Sequence, residues 1–208
     1  MEFFFYCRDR AGTSEMRRAL LKDHWAYMSR YVPAMIARGP TMSADGKAMT
    51  GSMHIVDLPD ADAAWTFAHE DPFAKAGLFE EMIVRRYHNV LGRTMWQFDG
   101  NADNERFLFI GHGRSGVSEQ GWRALAAQRT YFGDVERARE VILYGPLLAG
   151  EGESWGGTAI LLEVSARPAA EALVLEDPAA AAGLYVRTAL YPWRFGGEQN
   201  LQDLAARA

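Results

Sequence analysis

The sequence predicts an α+β fold made of two tandem copies of one βαββαβ unit. Two observations predict it. Turn residues of the first half return in the second half at a constant spacing, and strand-type and helix-type segments alternate in the same order within each copy. The 208 residues are enough for two domains of about 100 residues each.

The repeat is carried by glycine, proline and aspartate. The motifs that recur 106 residues later are Gly39-Pro40, Gly51, Glu70-Asp71-Pro72 and Gly77-Leu78. This spacing is much longer than a solenoid layer of roughly 20–50 residues, so each copy is expected to be a small domain. We assign residues 1–98 to the first repeat, 99–105 to a polar linker, 106–197 to the second repeat and 198–208 to a C-terminal tail.

The first copy begins with a strand-type run at Phe3–Cys7, followed by a turn. Apolar residues then recur at helical steps from Leu20 to Ile36, with Pro33 as a kink, and Gly39-Pro40 is expected to end this helix. The matching helix of the second copy lies at a spacing of 105, because Arg18-Ala19-Leu20 returns as Arg123-Ala124-Leu125. The register of this helix is therefore defined to within one position.

The rest of the first copy contains a hairpin, a second helix and a last strand. Asp45-Gly46 is typical of a tight hairpin turn before a strand at 51–58. A helix over 60–70 starts at the candidate N-cap Asp60 and directs Trp65 toward the sheet, and residues 80–91 form the last strand. In the second copy the corresponding segments are 106–110, 119–144, 157–164, 168–175 and 184–195.

The order βαββαβ is the ferredoxin-like arrangement, in which both helices cover one face of an antiparallel sheet. The other sheet face must also be covered. Two such sheets in one chain can cover each other, so we expect the two ferredoxin-like repeats to form an intramolecular, pseudo-dimeric α+β barrel.

Composition excludes several classes of partner. A net charge of −5 and a pI near 5.6 leave no basic surface for nucleic acid. The single cysteine, Cys7, cannot form an internal disulfide and fits a reducing compartment. Neither a signal peptide nor a membrane span is expected at the N-terminus, which favours a cytoplasmic location.

His24 is the strongest candidate for chemistry, because it lies on the inward face of the first helix and imidazole titrates near neutral pH. A lone histidine on an apolar face can equally be a core residue. Asp71 precedes a proline, where aspartate commonly caps a turn, but its carboxylate could also orient His24. The remaining histidines, His54, His69, His88 and His112, show no zinc-site spacing. No cofactor motif is present, so we predict neither a metal nor a cofactor.

Several motifs together resemble the YCII-related family. They are Tyr6-x-Arg8-Asp9, His24, Gly39-Pro40, Gly51-Ser52, Asp71-Pro72-Phe73 and Gly77-Leu78-Phe79. The resemblance covers residues 2–92 and, more weakly, 106–197. It implies ferredoxin-like units of the dimeric α+β barrel type, sometimes in tandem, with His24 and Asp71 as the catalytic pair. The enzymatic relative is a dehydrochlorinase acting on a hydroxylated aromatic ring, which implies proton transfer without a cofactor.

The second copy departs from the family pattern. Its histidine position is predicted to hold Arg129 or Thr130, and Phe73 is replaced by Ala179. We expect its pocket to be inactive or to bind an anion through Arg129.

These observations predict a cofactor-independent lyase or isomerase that acts by proton transfer or elimination on an aromatic or polyketide-like small molecule. The expected pocket residues are Trp25, Met28, Ser52, Phe79 and Arg8. The alternative is a small-molecule-binding or accessory protein without catalysis. Beyond the small molecule, the partner expected is a second copy of the two-repeat chain in a possible homodimer.

Overall fold

The computed structural model describes residues 1–150 and 154–196, in two compact units. Of the described residues, 1–85 and 194–196 belong to unit 1, and 86–150 and 154–193 belong to unit 2. The predicted tail, residues 198–208, lies outside the described residues. The predicted fold class is confirmed, since each unit has a four-stranded antiparallel sheet with helices in the order of a ferredoxin-like repeat. No helix in the described part of the chain is long and apolar enough to cross a membrane.

Unit 1 contains a sheet with the strand order β2-β3-β1-β4. Its elements are β1 Glu2–Asp9, α1 Ser14–Ser29, β2 Met35–Met42, β3 Met49–Asp57, α2 Ala61–His69, α3 Pro72–Lys75 and β4 Phe79–Arg86. Strand β1 alternates between the two sheet faces. Phe5 packs on Phe67 of α2 with ring centroids 4.5 Å apart, whereas Phe4 and Tyr6 point the other way and are also buried. Both faces of this sheet are therefore buried.

The predicted first helix was too long. Helix α1 ends at Ser29, Pro33 lies in a short 3₁₀ turn, and Met35 already begins β2. Proline lacks an N–H and stops the helix, while the apolar residues that follow are equally suited to a buried strand. Gly39-Pro40 consequently lies inside β2 rather than at a helix end. Pro40 is tolerated there because β2 is an edge strand.

Other local predictions in unit 1 had mixed outcomes. The hairpin turn is present, with the Ser43 N–H donating to the Ala48 carbonyl at 2.8 Å and Gly46 at φ +70°. Asp60 caps α2 by accepting the Ala63 N–H at 2.8 Å. Trp65 does not face the sheet, because it is 58% exposed and stacks on the His69 ring.

Unit 2 repeats the topology with the strand order β6-β7-β5-β8. Its elements are β5 Glu105–Gly113, α4 Ser118–Gly133, β6 Val141–Ala149, β7 Ser154–Val164, α5 Arg167–Leu175, α6 Pro178–Ala181 and β8 Tyr185–Pro192. The single segment predicted at 119–144 is thus divided between α4, which ends at Gly133, and the start of β6, because the apolar residues from Val141 suit a buried strand as well as a helix. Residues 87–98 belong to this unit and run alongside the edge strand β6. The Val90 N–H donates to the Tyr144 carbonyl at 3.1 Å.

The sheet register defines which residues of the two units correspond. Phe4 pairs with Ile55 in β3, and Leu108 pairs with Leu161 in β7. The spacing between the units is therefore 104 in the first strand, 108 less 4, and 106 in the third strand, 161 less 55. Helices α1 and α4 start at Ser14 and Ser118, which is also a spacing of 104. The predicted helix spacing of 105 is wrong by one residue.

Candidate active site

His24 and Asp71 meet in the core of unit 1. His24 lies on α1, and its Nδ1 is 2.9 Å from Asp71 Oδ1. Asp71 is the N-cap of α3, where the same oxygen accepts the Phe73 N–H at 3.1 Å. The Phe73 ring stacks on the imidazole with centroids 4.1 Å apart and planes 13° apart. The cap and the ring of α3 therefore fix the position of the imidazole.

This contact also selects the histidine tautomer. An ionised carboxylate accepts hydrogen bonds, so Nδ1 carries the hydrogen and Nε2 carries the lone pair. In residues 1–150 and 154–196 no second hydrogen bond engages the His24 ring. Nε2 is the nitrogen that remains to accept a proton from a ligand.

A cavity of about 250 Å³ lies beside this ring within unit 1. Helix α1 contributes Arg17, Leu21, His24, Trp25 and Met28 to its wall. Strands β2 and β3 and the hairpin contribute Arg38, Gly39, Pro40, Met42, Met49, Ser52 and His54, and Arg194–Gly196 complete it. Of the predicted pocket residues, Trp25, Met28 and Ser52 line the cavity with His24.

Two predicted pocket residues do not line the cavity. Phe79 is buried beneath Phe73, edge-on with ring centroids 6.2 Å apart, so it supports the ring that stacks on His24. Arg8 lies at the protein surface and forms ion pairs with Glu80 and Glu81. In β1 it follows Cys7, which faces the core, and alternation along a strand turns its side chain to the other face.

Arg17 was missed by the sequence analysis. It forms a bidentate ion pair with Asp9, with both distances 2.6 Å, and it donates to Ser52 Oγ at 3.0 Å. Its guanidinium also lies 4.6 Å from the centre of the Phe73 ring. Arg17 therefore ties α1 to two strands of the sheet. It lies seven residues before His24, on the same helix face, which is the signal that could have identified it.

His54 was set aside because it lacks metal-site spacing, yet it lies at this cavity. Its ring is 5.9 Å from that of His24, centroid to centroid. Burial lowers the pKa of His54 well below its ordinary value, and the charges of His24, Arg38 and Arg17 act in the same direction. His54 is therefore neutral at pH 7. Its spacing of two from Ser52 places both side chains on one sheet face.

Arg38 of β2 was also missed. It is buried, and its Nε donates to the Gly196 carbonyl at 3.0 Å, while the Gly196 N–H donates to the Arg38 carbonyl at 3.0 Å. Burial lowers the pKa of Arg38 from its ordinary value. Contacts between residues 158 positions apart leave no local sequence signal.

The counterpart of His24 in unit 2 is Gln128, which corrects the prediction of Arg129 or Thr130. Gln128 Nε2 donates to Asp177 Oδ1 at 2.5 Å, whereas Arg129 and Thr130 are exposed. The error follows from the helix register, because a spacing of 104 leads from His24 to Gln128. Arg129 is therefore not in the position predicted for anion binding. Ala179 does occupy the place of Phe73, in α6.

Within residues 1–150 and 154–196, no group of three or more His, Cys, Asp or Glu side chains is arranged to hold a metal ion.

The fold, two ferredoxin-like repeats, matches that of solved dimeric α+β barrel proteins. Chlorite dismutase from Candidatus Nitrospira defluvii aligns with a TM-score of 0.57 over 99% of this chain and 94% of its own. An anthrone oxidase-like protein aligns with a TM-score of 0.56 over 94% of this chain and 91% of its own. At 7% and 8% sequence identity, these similarities show the fold alone.

The family is defined by the first repeat. Residues 1–88 match the YCII-related domain. An uncharacterized protein of Haemophilus influenzae is 26% identical over 97 residues, which are 43% of this chain and 99% of that protein. The 5-chloro-2-hydroxyhydroquinone dehydrochlorinase of Burkholderia phenoliruptrix, solved with 2,5-dihydroxybenzoquinone, is 35% identical, with 45% of this chain and 99% of that one covered and a TM-score of 0.42. The first repeat, residues 1–88, therefore carries a YCII-related domain.

Proposed function

We propose that unit 1 is a cofactor-independent lyase or isomerase in which His24 exchanges a proton with a small molecule and Asp71 orients the imidazole. One observation carries the proposal. Nδ1 of His24 is held at 2.9 Å by a buried carboxylate, while the same ring lines a cavity. A paired carboxylate selects the tautomer with a basic Nε2 and stabilises the imidazolium that forms when the proton is taken.

The chemistry follows from this pair. Nε2 takes a proton from a carbon next to a carbonyl, and the electrons of the broken C–H bond move onto the carbonyl oxygen. Return of the proton from Nε2 to a different atom of the substrate gives an isomerisation. Departure of a neighbouring substituent with its bonding electron pair gives an elimination. The two reaction types therefore share the first step.

The dimensions of the cavity support a ring-shaped substrate. A dry cavity of about 150 Å³ is large enough for benzene, so about 250 Å³ accommodates one substituted ring. Leu21, Trp25 and Met28 give the cavity apolar walls, and Ser52 and His54 add polar groups near His24. An aromatic or polyketide-like ring with acidic protons suits this lining.

The proposal is tested by deuterium exchange into cyclohexane-1,2-dione, a monocyclic enolisable ketone, followed by NMR in D₂O. His24→Gln is expected to lower the enzyme-catalysed rate by about 100- to 10,000-fold, because the proton acceptor is lost. Gln128 already bonds an aspartate at the same place in unit 2, so this variant is expected to fold. His69→Gln is the control, since His69 is exposed and stacks on Trp65 away from the cavity. An unchanged rate in His24→Gln would remove His24 from the mechanism.

The alternative is a protein that binds the small molecule without changing it. It is favoured by one outcome of the same experiment, namely that the wild-type protein binds the ketone but does not accelerate exchange.

A further inference from the structure

His54 and Arg38 are neighbours that face the same cavity as His24. They form a register pair across β2 and β3, and both line the cavity wall. The His54 ring is 5.9 Å from the His24 ring. A ligand with one six-membered ring can therefore contact both imidazoles, through two of its atoms that lie a few bonds apart.

The His54 side chain is 6% exposed, and in the described part of the chain no hydrogen bond engages its ring. His54 is not part of the His24–Asp71 pair. Because His54 lines the cavity, a ligand there can form a hydrogen bond with its ring.

The two imidazoles are set up for different tasks. Nδ1 of His24 bonds the Asp71 carboxylate, whereas burial and then the charges of His24 and Arg38 lower the pKa of His54. A neutral imidazole keeps one N–H donor, which can bond to an oxygen without competing as the base. The neighbouring guanidinium adds a fixed positive charge in a poorly hydrated site, where it favours an oxygen that becomes negative.

The second unit offers an internal comparison. The register pair that corresponds to Arg38 and His54 is Tyr144 and Ile160. Gln128 takes the place of His24 in the same unit. The two cavity-facing groups of β2 and β3 are therefore absent together with the proton acceptor, which links them to the same task.

We propose that His54 and Arg38 form an oxyanion subsite, which binds the substrate oxygen that becomes negative when His24 removes a proton. This inference rests on the proposed function and specifies its substrate class: ring ketones with a C–H bond next to the carbonyl, which react through an enolate. When the C–H bond breaks, its proton goes to Nε2 of His24 and its electrons reach the oxygen held by the His54 N–H and the Arg38 charge. His54 keeps its own hydrogen throughout.

Binding of 4-nitrophenol tests the subsite without any turnover, because the phenolate is coloured and the phenol is not. The wild-type protein is expected to bind the phenolate in preference to the phenol, so that the bound probe ionises at lower pH than the free probe. His54→Ile, which copies unit 2, and Arg38→Met are each expected to weaken phenolate binding by about 10- to 100-fold. Binding of nitrobenzene, the matched neutral probe, should change by less than about twofold, since neither lost group bonds it.

Two further variants separate the subsite from a structural role of His54 and from the role of His24 as the base. His54→Gln retains a side-chain donor and is expected to keep most of the phenolate preference, which a purely structural role of His54 would not produce. His24→Gln is expected to keep the preference while losing deuterium exchange, so the subsite and the proposed base are tested separately. Equal binding of phenolate and nitrobenzene by the wild-type protein would overturn the subsite and leave the role of His24 intact.

Discussion

The two units place an aspartate at the same point of the same fold but surround it differently. Asp71 accepts a backbone N–H of α3 and bonds an imidazole that lines a cavity. Asp177 accepts a backbone N–H of α6, the amide of Gln128 and the hydroxyl of Tyr185. The aspartate is thus a helix cap in both units, and its presence alone does not identify a site. The histidine is what distinguishes unit 1.

The space around the aspartate differs as well. In unit 2, Tyr185 lies over Gly111, and Trp155 lies over Gly121. A Cβ added at Gly111 would be 2.5 Å from the Tyr185 ring, and one added at Gly121 would be 2.1 Å from the Trp155 ring. The register places Cys7 and Arg17 at these two positions in unit 1, where no such ring excludes them. In unit 2, glycines therefore replace these side chains of the first strand and the first helix, and large rings from β7 and β8 fill the space.

Protonation behaviour also separates the two sites. Burial raises the pKa of Asp177, and its hydrogen bonds to Gln128 and Tyr185 only partly oppose this effect. The partners in unit 2 are neutral, whereas the partner of Asp71 can become a cation. Of the two aspartate sites, the Asp71 site is therefore the one where the aspartate and its helix partner can form an ion pair.

The largest effect is expected when the aspartates are changed one at a time. Asp71→Asn retains an oxygen for the Phe73 N–H but loses the charge that stabilises the imidazolium. Exchange into cyclohexane-1,2-dione should fall by about 100- to 10,000-fold. Asp177→Asn should leave the rate within about twofold, because its partners do not transfer protons. Equal losses in the two variants would mean that both aspartates act only through the fold.

The next effect concerns the rings that fill unit 2. Gly121→Ala should destabilise the protein by about 1–3 kcal/mol, because the new methyl group overlaps the buried Trp155 ring. Gly133→Ala on the same helix has no atom within 4 Å of the new Cβ, and should stabilise by about 0.4–1 kcal/mol through the unfolded chain. The midpoint of urea unfolding measures both. A tolerated Gly121→Ala would show that Trp155 can move and that the region is not tightly filled.

Local signals predicted the parts of this fold that depend on short stretches of chain. Repeated turn residues revealed the two copies, and Asp60 and Gly46 marked a helix start and a hairpin within a few residues. The boundary between α1 and β2 was missed, because Met35 and Ile36 satisfy both a helical and a strand pattern. The choice between them is made by pairing with β3, which a local pattern does not record.

The candidate site was predicted only in its local part. His24 and Asp71 could be paired through the family resemblance, and Trp25 and Met28 through their helix spacing. His54 and Arg38 depend on register between two strands, and Gly196 reaches Arg38 from the far end of the chain. Gln128 was missed because unit 2 has two more residues than unit 1 between the first helix and the second strand, whereas the sequence alone indicated one.

The smallest effect is a change in the pH dependence of stability when His54 is replaced by the isoleucine of unit 2. The unfolded chain binds a proton on His54 below about pH 6.5, whereas the folded protein keeps this ring neutral because its pKa is depressed. Acidification through this range therefore favours unfolding, and His54 contributes a slope of at most about 1.4 kcal/mol per pH unit. His54→Ile should remove that slope between about pH 5 and 6.5, measured by urea unfolding at several pH values. An identical slope in the variant would mean that His54 takes up a proton as readily in the folded protein as in the unfolded chain. His54 would then not be the neutral hydrogen-bond donor that the oxyanion subsite requires.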